Sequence, residues 1–510
     1  MNTTVPKEYD ALLALYQAQS EELRALKDEL EQLKRMLFGM RKESFRPAQE
    51  EAVAEGPPQG GGSGEEGAPQ EGQERVQVTY TRKKNANHKG RQPLPDHLPV
   101  EEVTIDPDFD TTGMKYIGDE ITETVDYRPA TLVKRRYIRR KYVRAEAAEG
   151  QPEVVIGELP YRPIRKGIAE AGLLAHLMVS KYVDHLPFYR QIERFKREYD
   201  WNIQKSTVND WFTAGCTLLE PLYKALKGQV LQTGYLQADE SPIRVLDNTK
   251  AKKTHKGFMW VYRNPGNKLV WFDYRQGRSS EDADGVLGGF SGLLQCDGYP
   301  VYASLAARRG DIRLVSCLAH IRRKFFEAQS NHPEPAAYAL GLIQQLYAFE
   351  RGYREGQLTP EETAGRRRQE ARPVFETLKA WVLEQHGKYL GKEAIGKALL
   401  YAGKELPQLE VYLDDGRIEI DNNLIENAIR PMAIGRKNYL FCGSHDAAER
   451  TAMMYSFFAT CKTTGVNPWE WMQDVLQRLE NYPQKSISEL LPGNWRPPPP
   501  QVVQTKSVGK

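Results

Sequence analysis

The chain has 510 residues with 71 Lys or Arg and 68 Asp or Glu, so its formal net charge is only +3. This length exceeds what one hydrophobic core can organise and predicts three or four structural units. The five cysteines are scattered and include no Cys-x-x-Cys pair, which argues against a disulfide framework and favours a reducing cytoplasm. The sequence shows no N-terminal signal pattern and no apolar run of about 18 residues, so we expect a cytoplasmic protein with no membrane partner.

The N-terminal segment, residues 1–46, carries a heptad pattern over residues 8–38. Apolar side chains and one Gln recur along a seam flanked by Glu and Lys: Tyr16, Leu23, Leu30 and Leu37, with Gln19, Leu26 and Leu33 between them. The pattern favours a short coiled coil and a homo-oligomer that is at least a dimer, although one amphipathic helix packed on its own chain is the alternative. Residues 47–80 begin with a Gly-, Pro-, Glu- and Gln-rich stretch, which predicts a disordered linker.

Residues 81–165 predict a small basic module rich in β-structure. The run TLVKRRYIRRKYVR at residues 131–144 has seven cations interleaved with tyrosines. Alternation favours a strand with a basic face, for which we expect phosphate contacts that are independent of DNA sequence. A solvated edge strand blunted by Lys and Arg is the alternative. The candidate phosphate-binding residues are Arg135, Arg136, Arg139, Arg140 and Lys141.

Residues 166–228 are helical in pattern and contain a candidate helix-turn-helix. Two helices are predicted at residues 187–199 and 203–215, joined by about three residues. An ordinary helical hairpin would have the same pattern, and in both cases the side chains of residues 207, 208, 211 and 212 are expected to be buried. The residues placed to read base edges are Gln204, Lys205, Ser206 and Asn209.

A mixed sheet is predicted from the next part of the chain. The β-like runs lie at residues 234–245, 257–264, 268–275, 292–299 and 311–320, with a helical segment at 280–287. Their order, β-β-β-α-β-α-β, is that of a ribonuclease-H-like core, in which the first and fourth strands are neighbours. Asp239 in the first run and Asp297 in the fourth would then lie close together. Two carboxylates can hold two Mg²⁺ ions about 3.5–4 Å apart, but a third carboxylate normally completes such a site.

The third candidate carboxylate is Glu426. Asp421 suits a helix N-cap, and residues 422–430 predict about two helical turns that end at Pro431. The side chains expected to face the core are Leu424, Ile425 and Ile429. Taken alone, Glu426 and Arg430 would be read as a surface ion pair, because they are spaced four apart.

Four stretches resemble a known family. LQADESPIRVL, LQCDGYPVY, CLAHIRRKFFEA and DNNLIENAIRPMAIGRKNYLFCGS look like parts of transposases of the insertion-sequence-66 family, bacterial enzymes with an Asp-Asp-Glu triad. The resemblance extends from the N-terminal helix to about Tyr482. Carried over by motif, it implies that Asp239, Asp297 and Glu426 are both the catalytic triad and the ligands of two Mg²⁺ ions, for which Mn²⁺ can substitute.

The resemblance implies a DNA transposase that cleaves at the terminal inverted repeats of an insertion sequence and transfers the strand into target DNA. It also implies a bacterial cytoplasmic protein, associated with the nucleoid when bound to DNA, and companion proteins encoded by the same element. Two alternatives remain: a ribonuclease-H-like nuclease that only hydrolyses, and a catalytically inactive DNA-binding subunit. The coiled coil and helix-turn-helix argue against a plain nuclease, which needs neither.

Family members commonly carry a small zinc module with paired cysteines after the N-terminal helix, and this sequence departs from that pattern. Residues 92–165 contain no cysteine, and His97 is their only histidine. We therefore expect no zinc in this protein.

Residues 321–415 are helical in pattern and interrupt the catalytic core, which comprises residues 229–320 and 416–444. An all-helical insertion at this point suits a DNA-clamping or synaptic role. Residues 445–492 predict C-terminal helices packed on the sheet, and residues 493–510 predict a disordered tail.

Cys317 and His320 form a Cys-x-x-His pair at the predicted end of the fifth strand. Without a second pair it is not a zinc site. Similar pairs in other transposases imply a position near the cleaved strand, whereas a core cysteine and a capping histidine are the alternative. The residues near the triad that are expected to meet DNA are His320, Arg322, Arg323, Lys324, Arg430, Arg436 and Lys437.

Overall fold

A computed structural model of the chain describes Leu132, Lys134, Tyr137 and residues 141–143, 154–156, 160–165, 167–247, 249 and 253–497. The predicted coiled coil and linker, residues 498–510 of the predicted tail, and the candidate phosphate-binding residues Arg135, Arg136, Arg139 and Arg140 lie outside these residues. The start of the predicted disordered tail is corrected, because Trp495 is buried and its Nε1 donates to Asp474 Oδ2 at 2.7 Å. From the basic module the structure describes a two-stranded antiparallel pair, β1 (Lys141–Val143) and β2 (Val154–Ile156).

Among the residues that the structure describes, three helices precede the main sheet: α1 (Ala171–Tyr182), α2 (Phe188–Tyr199) and α3 (Lys205–Leu231). The predicted pair of helices is confirmed, but α3 is much longer than predicted. It continues through Pro221 because the buried stripe that starts at Val208 and Phe212 persists as far as Val230. Packing of that stripe offsets the cost of a proline inside a helix.

The main sheet has five strands in the order β5-β4-β3-β6-β7. The strands are β3 (Tyr235–Leu246), β4 (Thr254–Arg263), β5 (Val270–Arg275), β6 (Gly292–Gln295) and β7 (Ile312–Val315). The first three form an antiparallel meander, whereas β6 pairs parallel with both β3 and β7. The parallel crossovers contain α4 (Ser280–Leu287) and α5 (Pro300–Arg309). The predicted mixed sheet, its element order and the pairing of its first and fourth strands are all confirmed.

The edge strand β5 is covered by a helix. The C-terminal helices are α12 (His445–Thr464) and α13 (Pro468–Arg478). On α12, Ser456 Oγ accepts from the Phe272 amide at 2.8 Å, and Thr460 Oγ1 accepts from the Val270 amide at 3.1 Å. Hydroxyls one turn apart therefore satisfy the outward amides of β5, which would otherwise offer a free edge to another chain.

The predicted insertion is all-helical, with connecting turns and loops but no strand among the residues that the structure describes. It contains α6 (Leu318–Ala328), α7 (Pro333–Glu355), α8 (Pro360–Arg366), a π-helical turn (Arg367–Ala371), α9 (Arg372–Gln385), α10 (Ala394–Leu409) and a 3₁₀ turn (Glu410–Leu413). These helices share a hydrophobic core, in which Phe325, Ile343, Phe375 and Leu406 are almost fully buried. The insertion thus has an interior of its own beside the sheet.

The helix that follows, α11 (Asn423–Tyr439), corrects three expectations. It runs through Pro431 and does not end there, because Ile425, Ile429 and Met432 are buried along one face. Leu424, expected in the core, is 37% exposed. Asn422, not Asp421, occupies the N-cap position. Within the described residues, no helix combines the length and apolar character needed to cross a membrane.

Candidate active site

Asp239 and Asp297 are carried by neighbouring strands. In the parallel β3–β6 pair, Gln237 lies opposite Gln295, and each aspartate follows two residues later along its strand direction. Asp239 is still within β3, whereas Asp297 lies just beyond β6. The backbone pairing of β3 with β6 therefore brings the two aspartates close together, as the sequence predicted.

Glu426 enters from α11, which packs against β3. It lies in the first turn of the helix, and its backbone amide donates to the Asn422 carbonyl at 3.1 Å. The two rival carboxylates are engaged elsewhere. Glu419 pairs with Arg354 at 3.0 Å, and Asp421 accepts hydrogen bonds from Tyr347 and Asn423.

The electrostatic environment of Asp239 links the candidate triad. Burial, together with the neighbouring negative charges of Glu240, Asp297 and Glu426, raises the pKa of Asp239 to about 8. The backbone amide of Glu240, which donates to Asp239 Oδ1 at 2.7 Å, acts in the opposite sense. Carboxylates from two strands and one helix are therefore close enough to repel one another.

Glu240 is a fourth carboxylate at this site, and the sequence reasoning assigned it no role. Arg278 donates to its Oε1, and the Tyr302 hydroxyl donates to Oε2 at 3.0 Å. Burial raises the pKa of Glu240, although the bond from Arg278 opposes the shift. The Arg278 guanidinium also lies 3.5 Å from the centre of the Tyr299 ring. The position of Glu240 directly after Asp239 could have marked it as a site residue. Its partner Arg278, however, lies on a different segment of the chain.

The Cys-x-x-His pair belongs to the start of α6, not to the end of a strand. Cys317 is the N-cap residue, is buried, and its Sγ accepts from the Asn422 amide at 3.2 Å. His320 Nε2 lies 3.8 Å from Glu426 Oε1. Burial lowers the pKa of His320, while the charge of Glu426 raises it. Cys317 thus has a structural role in the core, and His320 lies beside the third carboxylate.

The predicted DNA contacts differ in their exposure. At the start of α3, Gln204, Lys205, Ser206 and Asn209 are all exposed, as base reading would require. Arg323, Arg430 and Lys437 are exposed too, and Arg322 and Lys324 are partly buried. Arg436 is engaged within the chain, since its Nη1 donates to Ser241 Oγ at 2.9 Å and to the Pro242 carbonyl at 2.6 Å.

The four carboxylates are near one another without forming a closed ligand set. Among the residues that the structure describes, no group of three or more His, Cys, Asp or Glu side chains is placed closely enough to hold a metal ion. The same residues provide no Lys, Arg or His ion-pair partner for Asp239 or Asp297. The two aspartates therefore repel each other without a direct ion pair to offset the repulsion, although the Arg278 guanidinium is near enough for the charge of Asp297 to raise its pKa.

Comparison with known families defines the class of this protein as a transposase. Residues 166–450 match the family described as "Transposase IS66 family", residues 456–492 match the "IS66 C-terminal element", and residues 25–103 match "Transposase C of IS166 homeodomain". The chain belongs to the IS66 transposase family, which confirms the family resemblance of its sequence motifs.

Similar proteins come from Sinorhizobium fredii (strain NBRC 101917 / NGR234). The uncharacterized protein y4jD is 32% identical over 423 residues, covering 79% of this chain and 81% of that protein. The uncharacterized protein y4qI is 32% identical over 420 residues, covering 79% of this chain and 76% of that protein. The uncharacterized protein y4hP is 27% identical over 448 residues, covering 82% of this chain and 78% of that protein.

Proposed function

We propose that this chain cleaves DNA at the ends of an insertion sequence and joins the freed strand to target DNA, using a ribonuclease-H-like core. Family membership supports a transposase role. The strand order β5-β4-β3-β6-β7, with an antiparallel meander on one side and parallel strands on the other, supports the proposed core.

One observation carries the catalytic part of the proposal. Asp239, Asp297 and Glu426 come from distant parts of the sequence, yet the negative charges of Asp297 and Glu426 act on Asp239. Asp239, Asp297 and Glu426 are all partly buried, and placing such carboxylates together costs free energy unless a cation or a proton compensates for their charge. Such an arrangement is typical of functional sites.

The chemistry of these residues fits Mg²⁺. Carboxylate oxygens are the ligands that Mg²⁺ prefers, and Asp239 and Asp297 have no ion-pair partner in the described part of the chain. Asp239 and Asp297 would hold two metal ions, and Glu426 would complete the coordination shell of one of them. When bound, Mg²⁺ activates a hydroxyl nucleophile and stabilises the leaving oxygen in an in-line phosphoryl transfer.

The remaining residues of the site have supporting roles in this proposal. Glu240, held by Arg278 and Tyr302, keeps a cation and a hydroxyl next to the aspartates. Arg323, Arg430 and Lys437 are exposed and would contact phosphates, which positions DNA without reading its sequence. Cleavage is a hydrolysis at phosphorus, and joining is a transesterification in which the freed 3′-hydroxyl is the nucleophile. Neither step requires a covalent nucleophile from the protein.

The test of this proposal is the substitution Glu426→Gln, which preserves side-chain shape and removes the charge. Loss of a metal ligand worth several kcal/mol should lower the rates of cleavage and strand transfer by roughly 10²–10³-fold. DNA binding should persist. Single-turnover assays on a labelled duplex of the element end, with Mg²⁺ or Mn²⁺ and the companion proteins of the element, measure both rates.

Two controls make the test specific. Glu419→Gln is the same chemical change on the same segment, and it removes only the pairing with Arg354, which is 60% exposed. Asp421→Asn keeps the side-chain shape and the oxygen that accepts from the Asn423 backbone amide, while its new amide nitrogen replaces the oxygen that accepts from Tyr347 and the Asn423 side chain. Both variants should retain rates within a few-fold of the parent. Near-normal strand transfer by Glu426→Gln, together with its abolition in Asp421→Asn, would show that the triad is assigned wrongly.

A further inference from the structure

A four-residue pattern, Leu-Gln-x-Asp, occurs on both strands that carry the aspartates. It spans residues 236–239 on β3 and residues 294–297, which begin on β6 and end just beyond it, and its two glutamines are directly opposite each other. Gln237 and Gln295 are both fully buried. Glutamine is costly in an interior unless its amide is hydrogen-bonded, so the partners of these two amides indicate what they do.

Both amides donate to the backbone segment that leads into α11. Gln295 Nε2 donates to the Glu419 carbonyl at 2.8 Å and to the Ser316 carbonyl at 3.3 Å. Gln237 Nε2 donates to the Asp421 carbonyl at 3.3 Å and to Gln295 Oε1 at 2.9 Å. We call Gln237 and Gln295 together the glutamine pair.

Two further buried side chains orient the glutamine pair. The Tyr235 hydroxyl donates to Gln295 Oε1 at 2.5 Å and accepts from the Glu419 amide at 3.0 Å. Arg263 Nη1 donates to Gln237 Oε1 at 3.3 Å. With both carbonyl oxygens occupied by donors, both amide nitrogens are directed at the carbonyls of the segment. A reversed amide would place nitrogen against a donor and oxygen against a carbonyl.

The segment held in this way ends at the N-cap of α11. Asn422 follows Asp421 directly, and its side-chain amide donates to the Ala238 carbonyl at 3.3 Å, next to Asp239. Glu426 lies one turn further along the helix. The contacts of the glutamine pair therefore fix the start of α11 relative to the two strands whose aspartates lie two residues away.

We propose that Gln237 and Gln295 are positioning residues that hold the start of α11, and with it Glu426, against the strands that lead to Asp239 and Asp297. This inference rests on the proposed role of Glu426. An apolar side chain of similar volume could fill the same space, but it could not hold the carbonyls of Glu419 and Asp421. The segment has other attachments, such as the Leu318 amide that donates to the Ile420 carbonyl at 3.1 Å. Loss of one glutamine should therefore displace the segment without releasing it.

The test variant is Gln295→Met, which keeps side-chain length and removes the hydrogen bonds. Mn²⁺ affinity of the full-length protein, measured by electron paramagnetic resonance without DNA, should fall about 10–100-fold, as for other residues that orient metal ligands. Single-turnover cleavage should fall by a similar factor, with DNA affinity unchanged. In the double variant with Glu426→Gln, the substitution should cause no further loss of either quantity, because it acts through Glu426.

Thr460→Val is the matched control for loss of a buried hydrogen bond in the same sheet. Its hydroxyl bonds to the backbone of Val270 on the outer strand, on the other side of the sheet from β6. It should leave Mn²⁺ affinity and cleavage unchanged. If Gln295→Met does not fold, as judged by circular dichroism, Tyr235→Phe removes one hydroxyl from the same network and should show a smaller loss of the same kind.

The outcomes separate this inference from the proposed function. If Glu426→Gln changes neither Mn²⁺ affinity nor cleavage, both the assignment of the triad and the positioning role of the glutamine pair are wrong. If Glu426→Gln is impaired but Gln295→Met or Tyr235→Phe behaves like Thr460→Val, the triad stands and the positioning role is wrong. A further equal loss in the double variant would show that the glutamine acts independently of Glu426, which also overturns the inference.

Discussion

The substitution Arg367→Met should destabilise the helical insertion more than any surface change. Arg367 and Glu350 form a two-pronged ion pair with nitrogen–oxygen distances of 2.8 and 2.7 Å, and their side chains are only 3% and 4% exposed. Arg367 Nη1 also donates to three carbonyls, those of Tyr412, Asp415 and Ile418. One guanidinium therefore joins α7 to residues 412–418, the segment that leads towards α11.

The expected loss follows from what the methionine leaves behind. Removing one partner of a buried ion pair typically costs about 3–5 kcal/mol, because the other charge stays buried without compensation. Carbonyls that lose a donor in the interior add a further cost of about 1 kcal/mol or more. A loss of about 4 kcal/mol or more is a large part of the roughly 5–15 kcal/mol that stabilises a typical domain.

Urea unfolding of the full-length protein, followed by circular dichroism, measures this loss as a lower transition midpoint for the insertion. Arg372→Met is the matched control. Its partner Asp414 is 57% exposed, so it should cost less than about 1 kcal/mol. The double variant Arg367→Met with Glu350→Leu should recover part of the loss, since no charge remains buried. A free energy of unfolding of Arg367→Met within about 1 kcal/mol of the parent value would refute this reasoning. A double variant that is no more stable than Arg367→Met alone would refute it too.

Three predictions concern regions that lie largely outside the described residues. Deleting residues 1–45 should lower the mass measured by light scattering, because the heptad segment is expected to hold at least two copies together; an unchanged mass would assign assembly to another element. Elemental analysis should find no zinc, and stoichiometric zinc that disappears when residues 92–165 are deleted would contradict this. Neutralising Arg135, Arg139 and Lys141 together should weaken all duplexes alike and reduce the salt dependence by about one unit of slope per lost contact. A loss confined to one DNA sequence would instead indicate base reading.

Several features could be predicted from the sequence because short-range chemistry determines them. Helix α4 begins where predicted because Ser279 and Asp282 cap it reciprocally, a contact that spans three residues. Strands β3 to β7 follow the order of apolar runs and turn residues along the chain. That order was enough to place Asp239 and Asp297 on neighbouring strands, since the connection pattern of a mixed sheet restricts which strands can pair.

Other features depended on contacts between residues far apart in the chain. Local preference ends a helix at Pro431, but burial of Ile425, Ile429 and Met432 carries α11 through it. The partners of Glu240 and of the glutamine pair are supplied by other segments, so no local pattern indicates them. Short sequence motifs were therefore enough to identify the candidate carboxylates and the strands that bring the two aspartates together. Only tertiary packing decided how α11 begins, because the segment before it is held by side chains of two strands, β3 and β6, and by the backbone at the start of α6.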